Sequence, residues 1–319
     1  MSRRDDKYDH LLLRAAELYH ERDLTQQEVA LRLHLTRWQV GRLLAEAKRR
    51  GVVQIRIVHP RARCHDLEEA MVERFALQAS IVVPGAAQHE DNLRLVAGAA
   101  ADALADLSPG PRIVAASWGY TMTALAEQVP SMWTERATVV QANGGLSHPG
   151  WGDPASVITR LARQSNGTPV FLPAPAIIDS LALAPALRRE PAIRGVLELA
   201  RTAEAIVFSL GAATRESVLV QSGCLTAQQI DRLRERGAVG DVLARFLNCH
   251  GEPVDEDLQS RTIGLDLADI RAIPISIGVC AGPEKVAIAR ATLNQKICTV
   301  LVTDQRTATT LLDDAVPAQ

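Results

Sequence analysis

Residues 112–121 read RIVAASWGYT. A short apolar run of this kind is typical of a buried strand, and a glycine flanked by hydroxyl side chains is typical of the turn that follows it. Where a helix begins after such a turn, hydroxyls, backbone N–H groups and the helix dipole converge on a geometry suited to an anion. The candidate anion ligands are Ser117, Gly119, Tyr120 and Thr121. The segment is therefore a candidate loop of an enzyme active site or of a ligand sensor.

The same succession of strand and helix continues on both sides of this loop. Strands that alternate with amphipathic helices predict a parallel sheet in an α/β layered domain. Ligands of such sheets bind beyond the carboxyl ends of the strands. The predicted strands are ASIVV, RIVAAS, TVVQA, TPVFLP, AEAIVFSLG, IPISIGV and TVLVTD, and helices are predicted at about 91–107, 122–128, 155–164, 192–203 and 285–293, before a closing helix.

Two further loops follow predicted strands. Paired glycines in Asn143-Gly144-Gly145 allow the backbone to approach a ligand closely. The segment AGPEK ends in Lys285, one of only four lysines among 35 Lys and Arg. A lysine in an arginine-rich chain indicates a position where a compact positive charge has a role, for instance in binding a phosphate. The alternative is a solvent-exposed lysine on a helix. Each loop alone is compatible with a purely structural turn, whereas three such loops together favour a binding site.

Composition limits the class of protein. A chain of 319 residues has room for about two domains, and 47% apolar residues are enough for a sizeable core. No apolar stretch approaches the length of a membrane span. Five scattered cysteines without CxxC spacing argue against a disulfide framework and a zinc site, and fit a reducing cytoplasm. We predict no metal and no cofactor.

The chain is basic at its N-terminus and acidic over the rest, although its net charge is only −2. Such an asymmetry predicts a nucleic-acid contact at one end. Within residues 24–53, Thr25 and Glu28 form a capping-box pattern, and Thr36 is placed to cap a second helix. Gly51 is expected to end that helix, and a third helix is predicted upstream at about 6–21. These short helices predict a helix-turn-helix DNA-binding domain over residues 1–58, with a three-helix domain that binds protein as the alternative.

The second helix of this unit is the predicted recognition helix. Its apolar face is Val40, Leu43, Leu44 and Ala47, and Leu12, Leu13, Ala16 and Leu18 face it from upstream. Its first turns expose side chains that suit base edges, with arginine for guanine and glutamine for adenine, while the basic last turn suits phosphates. Trp38 is expected either to contact a thymine methyl or sugar or to fold back onto the upstream helix. The predicted DNA-binding residues are Thr25, Gln26, Thr36, Arg37, Trp38, Gln39, Arg42, Lys48 and Arg49, with Arg50 beside them.

The chain resembles the SorC/DeoR-type bacterial transcriptional regulators from about Tyr8 to Leu312. The resemblance implies an N-terminal helix-turn-helix and, over residues 59–319, a Rossmann-like effector and oligomerisation domain similar in fold to sugar-phosphate isomerases, with a linker helix at about 61–77. Family members are commonly tetramers, so a homo-oligomer, dimer or tetramer, is expected. The matching segments are LTQQEVALRLHLTRWQVGRLLAEAKRRGVVQI, SWGYT, VQANGG, GAVGDVLARFLNCHGEPVD and AGPEKVAIARATLNQKICTVLVTDQRTATTLL.

The resemblance also implies a phosphorylated sugar as effector. It places SWGYT and Lys285 at the phosphate, Asn143 and Gly144 by the sugar with Gly145 beside them, and Asp241 at its hydroxyls. Deoxyribose 5-phosphate fits the DeoR-like VQANGG, with polyol and hexose phosphates as alternatives. The chain departs from the family at His34, at Trp38 and at Pro283, where glycine, a small residue and a second glycine are more usual.

An isomerase-type or deaminase-type enzyme with an appended DNA-binding head is the rival interpretation. Such chemistry needs a positioned base with a second acid or imidazole. Asp241 and Asp179 are candidate carboxylates, but neither His148 nor His250 has an evident partner, and Lys285 is the only lysine of these loops. The residues therefore predict a sensor rather than an enzyme: a repressor whose DNA affinity the effector changes.

Overall fold

The computed structural model describes residues 3–22, 24–53, 63–146 and 154–313. The chain folds into two compact units, Met1–His59 and Pro60–Gln319, called the helical unit and the α/β unit below. No helix among the described residues is long and apolar enough to cross a membrane.

The described residues of the helical unit form three helices, and local hydrogen bonds set the starts of the second and third. They are α1 (Arg3–His20), α2 (Gln26–Leu33) and α3 (Arg37–Arg49). The predicted capping box of Thr25 and Glu28 is confirmed, and Thr36 forms a second box with Gln39. In each box the threonine hydroxyl accepts the third helical N–H and the partner side chain accepts the N–H of the threonine, so both helix starts are satisfied locally.

The turn between α2 and α3 depends on a left-handed residue. His34 ends α2 with φ 55° and ψ 43°, and its N–H donates to the carbonyl of Ala30. Histidine tolerates this region better than most non-glycine residues. Gly51 follows α3 with φ 73°, which confirms its predicted place just beyond the helix end. The segment VVQIRIV at 52–58 alternates apolar and polar residues as a strand does, and from residue 54 on it lies outside the described residues.

The core of the helical unit is formed by one apolar face from each helix. Leu12 and Ala16 of α1 are buried against Val40 and Leu43 of α3, as predicted. Leu13 is an exception, since its side chain is 46% exposed. It is adjacent to Leu12 in sequence and therefore lies about 100° around the helix from the buried stripe.

The α/β unit is built on one sheet whose long path is entirely parallel. The strand order is β1-β9-β8-β5-β2-β3-β4, and a short antiparallel hairpin, β6-β7, pairs with the end of β5. The strands are β1 (Ala79–Val83), β2 (Ile113–Ala116), β3 (Thr138–Gln141), β4 (Thr168–Val170), β5 (Ala205–Ala212), β6 (Gly240–Val242), β7 (Arg245–Leu247), β8 (Ile275–Val279) and β9 (Val300–Asp304).

Helices cover both faces of this sheet. The helices are α4 (His65–Phe75), α5 (His89–Ala105), α6 (Tyr120–Gln128), α7 (Pro154–Gln164), α8 (Leu183–Arg189), α9 (Pro191–Arg201), α10 (Val218–Gln221), α11 (Ala227–Glu235), α12 (Glu256–Arg261), α13 (Leu267–Ala272), α14 (Val286–Asn294) and α15 (Gln305–Leu312). Two successive residues of β5 point to opposite faces of the sheet. Phe208 packs in the core that includes α4, α9, α14 and α15, whereas Val207 packs in the core that includes α5, α6 and α7. The predicted parallel α/β fold is confirmed.

The strand order creates a switch point between β2 and β5. These two strands are hydrogen-bonded neighbours, but the chain leaves β2 through α6 towards β3 on one side and leaves β5 towards β8 on the other. Open α/β sheets bind ligands in the crevice beyond the carboxyl ends of strands at such a point. The loop SWGYT follows β2 and therefore borders this crevice.

The linker helix begins later than predicted, at His65. The two preceding residues are tied to the sheet instead: the N–H of Cys64 donates to Val82, and the guanidinium of Arg63 donates to the carboxylate of Glu68 at 2.7 and 2.9 Å. That buried carboxylate also accepts the N–H of Val82 at 2.8 Å. These contacts hold the segment before α4 extended against β1.

Candidate functional site

A cavity of about 380 Å³ opens over the carboxyl end of β5, at the switch point. It brings together residues from the loops after β2, β3 and β8 and from the β6-β7 hairpin. The sequence-predicted residues that line it are Ser117, Gly119, Tyr120, Thr121, Asn143, Asp241 and Lys285.

The SWGYT loop forms one wall of the cavity and passes directly into α6. Gly119 stands before the helix with φ 120°, a conformation that favours glycine, and no side chain caps the helix. Helix α6 starts at Tyr120, two residues before the predicted start, so Tyr120 and Thr121 lie in its first turn. Ser117 is fixed because its Oγ accepts the N–H of Ser209 at 3.4 Å. The unpaired first-turn N–H groups and the helix dipole thus border the cavity.

The NGG loop contributes only its first residue to the cavity surface. Asn143 lines the cavity, whereas Gly144 and Gly145 do not. Gly144 packs where a Cβ would overlap the backbone of Pro175, and its carbonyl accepts the indole N–H of Trp118 at 2.8 Å. Gly145 pairs with the segment at 174–176. Gly144 and Gly145, which were predicted to contact the effector, lie off the cavity surface in this structure and allow close packing of the loop behind Asn143.

Asp241 closes the floor of the cavity from the β6-β7 hairpin. Its Oδ2 accepts the N–H of Ala244 at 2.9 Å, across a two-residue turn in which Leu243 and Ala244 both have positive φ, 52° and 64°. This conformation is costly for residues other than glycine, so the carboxylate holds a strained turn. Burial raises the pKa of Asp241 to about 6, against the opposing effects of the Ala244 hydrogen bond and the charge of Lys285.

The charged side chains that line the cavity include more carboxyl groups than cations, unlike those of a site that binds only an anion. Lys285, at the end of a short 3₁₀ turn that starts at Pro283, is the only Lys or Arg that lines it among the described residues. The carboxyl groups of Asp241, Glu216 and Glu284 line it as well. A bound anion therefore has to be held by Lys285 together with backbone N–H groups, and a ligand with hydroxyl donors suits the carboxyl groups.

The loop after β5 is the part of the site that the sequence motifs did not reveal. Together with the end of that strand it supplies the largest share of the lining, and His89 at the start of α5 and Glu284 were missed as well. Its sequence, small and hydroxyl residues after AEAIVFSLG, is not distinctive, and the loop enters the site because β5 lies at the centre of the sheet. Its lining residues are Ser209, Leu210, Gly211, Ala212, Thr214, Glu216, Ser217, Val218 and Leu219.

Of the residues weighed for enzyme chemistry, Asp241 and Lys285 line the cavity, whereas Asp179 and His250 lie elsewhere. Asp179 lines a separate cavity beside Arg232 and Arg236, and His250 lies in a turn where its N–H donates to Asn248. His148 lies outside the described residues. Within the described ranges, no group of three or more His, Cys, Asp or Glu side chains is arranged to hold a metal ion.

The predicted DNA-binding residues divide into two groups. Trp38 is 69% exposed, and the guanidinium of Arg42 lies 5.0 Å from the centre of its ring, so the indole points to solvent rather than onto α1. Arg37 is exposed beside them. The side chains of the other group make contacts within the helical unit. Thr25 and Thr36 cap their helices, and the amide oxygen of Gln39 accepts the N–H of Thr36. Gln26 lies beside Gly41, and Arg49 pairs with Glu46.

The last turn of α3 carries less free positive charge than its sequence suggests. Arg49 and Arg50 both form ion pairs with Glu46, and the guanidinium of Arg50 lies 5.7 Å from the ring centre of Tyr8. Lys48 is exposed. Phosphate contacts at this end would therefore have to compete with Glu46 for the two arginines.

Comparisons with known proteins agree with this architecture. A family model described as "Putative sugar-binding domain" matches residues 59–313. The deoxyribonucleoside regulator of Bacillus subtilis is 30% identical over 312 residues, 97% of this chain and 99% of that protein. The transcriptional regulator LsrR of Klebsiella pneumoniae is 29% identical over 307 residues, 95% of this chain and 93% of that protein. The crystal structure of the full-length sorbitol operon regulator SorC from Klebsiella pneumoniae shares the fold, with a TM-score of 0.71 at 24% identity, over 97% of this chain and all of that one.

Proposed function

The chain belongs to the sugar-binding-domain family of bacterial transcriptional regulators, and we propose that it is a DNA-binding repressor whose DNA affinity is changed by a phosphorylated sugar held in the cavity over β5. Its relatives are named as transcriptional regulators and not as enzymes, and the chain is a regulator rather than an enzyme. The alternative is a sugar-phosphate isomerase with a DNA-binding head, and relatives named as transcriptional regulators do not favour it.

The observation that carries the effector proposal is the convergence of SWGYT, Asn143, Asp241 and Lys285 on one cavity. The uncapped start of α6 offers N–H donors and a positive dipole end to a phosphate, and Lys285 supplies a full charge. Asp241, buried beside Lys285, offers an acceptor to sugar hydroxyls. Deoxyribose 5-phosphate remains one candidate effector among pentose, hexose and polyol phosphates.

Replacement of Lys285 by glutamine tests the phosphate part of this proposal. We expect the affinity for a sugar phosphate to fall about tenfold, about 1.4 kcal/mol, because a charge-assisted contact becomes a neutral one. Binding is measured by calorimetry after a thermal-shift screen against pentose, hexose and polyol phosphates. Lys296→Gln is the matched control, since Lys296 is exposed and does not line the cavity. Equal affinities of the wild-type chain and Lys285→Gln, or a wild type that binds no sugar phosphate, would contradict the proposal.

The DNA-binding part of the proposal identifies α2 and α3 as a helix-turn-helix, with α3 as the recognition helix. The tight turn at His34 and the exposed side chains at the start of α3 support this assignment. Arg37, Trp38 and Arg42 form one exposed cluster that suits base edges in the major groove.

Replacement of Arg42 by alanine should weaken binding to the preferred DNA sequence about tenfold while leaving binding to random DNA nearly unchanged. The reason is that an arginine on a base edge contributes specificity, whereas a phosphate contact contributes to all sequences alike. Fluorescence anisotropy with DNA selected from a random pool measures both affinities at fixed salt. Arg194→Ala, on an exposed helix face of the α/β unit, is the control. A uniform loss on both DNAs would assign Arg42 to a phosphate instead.

The two sites are coupled, in this proposal, by a free energy of about 1–3 kcal/mol, the usual range for allosteric regulators. Complete switching from 1:99 to 99:1 would need about 5.5 kcal/mol of differential affinity. We therefore expect the sugar phosphate to weaken DNA binding partially rather than abolish it. A homo-oligomer, dimer or tetramer, would present paired recognition helices, and its assembly is part of the proposal.

A further inference from the structure

A buried carboxylate lies close to the point where the chain enters the α/β unit. Glu68 of α4 is 6% exposed. Its Oε1 accepts hydrogen bonds from Arg63 at 2.7 Å and from the N–H of Val82 at 2.8 Å, and its Oε2 accepts a second bond from Arg63 at 2.9 Å. The imidazole Nδ1 of His65 lies 3.0 Å from the same Oε2. Burial of a charge costs free energy unless the charge is paired and hydrogen-bonded, so this carboxylate holds its partners in place.

These contacts attach the two residues before α4 to the edge of the sheet. β1 is the end strand of the sheet, and Val82 uses its outward backbone groups there. The N–H of Val82 donates to Glu68, and its carbonyl accepts the N–H of Cys64 at 2.7 Å. Arg63 also donates to the carbonyl of Ser80 at 3.4 Å. These groups thus take the place of a neighbouring strand, and Arg63, Cys64, Glu68 and Val82 are called the linker clasp below.

A second buried carboxylate lies on the strand beside β1. Asp304 is the last residue of β9, is 2% exposed, and pairs in register with Val83. Its Oδ2 accepts the N–H of Gly282 at 3.0 Å and the hydroxyl of Thr307 at 2.8 Å. Gly282 has φ 102° and precedes the 3₁₀ turn that brings Lys285 to the cavity. Asp304 therefore joins this turn to the strand that pairs with β1.

Helix packing connects Asp304 to the linker clasp by a second route. The Oδ1 of Asp304 accepts an N–H from the first turn of α15 at 3.0 Å and so caps that helix. Helix α15 packs against α4, where Ala308 and Leu311 share a core with Met71. Met71 lies about one helical turn after Glu68. Because protein interiors are close-packed and have low compressibility, a displacement of α15 or β9 is transmitted to α4 and β1.

We propose that Asp304 and the linker clasp couple the effector cavity to the helical unit. A phosphate bound at Lys285 shifts the turn that follows Gly282, and Asp304 passes this shift to β9 and α15. The clasp passes it on to Arg63, from which the chain continues towards the helical unit. The side chain of Arg63 is 42% exposed, so its guanidinium alternates between Glu68 and water. The clasp is thereby closed or open, and a bound ligand biases this two-state element.

The inference rests on the proposed function and deepens it by naming residues of its regulation. Neither Asp304 nor any residue of the linker clasp lines the cavity, and all of them belong to the α/β unit. They are positioning residues. Their loss should change how strongly the two sites influence each other, and it should leave the affinity of the cavity for its ligand unchanged where only the clasp is altered.

Binding of DNA by clasp variants of the full chain tests this coupling. The ligand is the one that the wild type binds most tightly among sorbitol 6-phosphate, glucose 6-phosphate, ribose 5-phosphate and 2-deoxyribose 5-phosphate, and the DNA is a duplex selected from a random pool. The ratio of DNA affinities without and with saturating ligand should be about 5–150 in the wild type. Arg63→Gln and Glu68→Gln should bring this ratio to within about twofold of one, with ligand affinity in the absence of DNA unchanged. Arg63→Lys keeps the charge and should retain part of the ratio.

Hydrogen exchange tests the connection through Asp304 without DNA. Saturating ligand should change the exchange rates of the Cys64 and Val82 amides several-fold in the wild type, because both N–H groups are bonded within the clasp. Asp304 uses both carboxylate oxygens as acceptors, whereas asparagine has one, so the change should be smaller in Asp304→Asn. Unchanged exchange of both amides in the saturated wild type, or an equal change in Asp304→Asn, would overturn this connection.

Arg201→Gln is the matched control for the clasp. Arg201 is 45% exposed and donates to the carboxylate of Asp269 at 2.9 Å, much as Arg63 does to Glu68, but it lies in α9. This variant should keep the wild-type ratio. A wild-type ratio in both Arg63→Gln and Glu68→Gln, or an equal loss in Arg201→Gln, would overturn the coupling alone, and wild-type hydrogen exchange decides it if a variant does not fold. If no sugar phosphate of the set binds the wild type or changes its DNA binding, the proposed function fails as well, so the wild-type measurement separates the two failures.

Discussion

Replacement of Arg245 by methionine is expected to lower the free energy of unfolding by about 3 kcal/mol or more. Arg245 is buried in β7, and its guanidinium donates to the carbonyls of Leu265 at 3.0 Å and of Gly264 and Gln259 at 3.3 Å. Burial lowers the pKa of this side chain to about 10, so it stays protonated at neutral pH. Methionine keeps the apolar stem but leaves the buried carbonyls of Leu265 and Gly264 without this donor, each at a cost of about 1–3 kcal/mol before relaxation.

Urea and thermal unfolding of the full chain measure this loss. Arg194→Met is the control, because its 3.6 Å pair with Glu198 is exposed on both sides and should contribute little. The loss should extend to function, since Arg245 holds Gly264 and Gly264 packs behind Asn143. A variant that unfolds like the wild type would show that the segment at 259–265 is held by its remaining contacts, including those of Arg188.

The sheet could be predicted because its strands are short apolar runs separated by helices. The segments RIVAAS and TVLVTD were predicted as strands, and they form β2 and β9. The errors occur where local signals are weak. Helix α6 starts earlier than predicted because Gly119 precedes it without a capping side chain, and the hairpin β6-β7 was missed because its turn is Leu243-Ala244 rather than an asparagine–glycine pair. The helix predicted at about 192–203 is α9, whereas α8 and the helices from α10 to α13 were missed because they are short and carry weak signals.

The site residues could be predicted where the residue types within a single loop are themselves distinctive. SWGYT, Asn143 and Lys285 stand out in the sequence by residue type, and all of them line the cavity. The loop after β5 does not stand out, and it enters the site because β5 lies at the centre of the sheet between β8 and β2. Strand order depends on pairing between distant parts of the chain, which no local pattern reveals. The same holds for Gly144 and Gly145, whose packing partner at Pro175 lies about thirty residues away in sequence.

The buried carboxyl of Asp241 carries a stability cost that its replacement should remove. We expect Asp241→Asn to raise the free energy of unfolding at pH 7.5 by about 2–3 kcal/mol. The folded-state pKa of about 6 exceeds the ordinary 3.8, so the ionised form is disfavoured by folding. Asparagine is neutral and can still accept the N–H of Ala244, so the hairpin turn should keep its hydrogen bond.

The pH dependence of this gain follows from the sign of the shift. Between about pH 6 and 4 the folded wild-type chain binds a proton at Asp241 that the unfolded chain does not, so wild-type stability rises as the pH falls through 6. The advantage of Asp241→Asn should therefore shrink from pH 7.5 to pH 4.5 and vanish below about pH 4. Unfolding of both chains at several pH values measures it. A gain that is the same at every pH would mean that burial of the charge is not its cause.

Asp231 supplies the opposite case as a control. It is half-buried, and the hydrogen bond from Arg215 lowers its pKa, so Asp231→Asn should lose rather than gain stability at pH 7.5. If Asp241→Asn is more stable yet binds a sugar phosphate less tightly, the charge is retained for the ligand: the ligand's hydroxyls would donate to the carboxylate and offset the desolvation that burial imposes on it. Greater stability with unchanged affinity would leave Asp241 a structural residue of the hairpin.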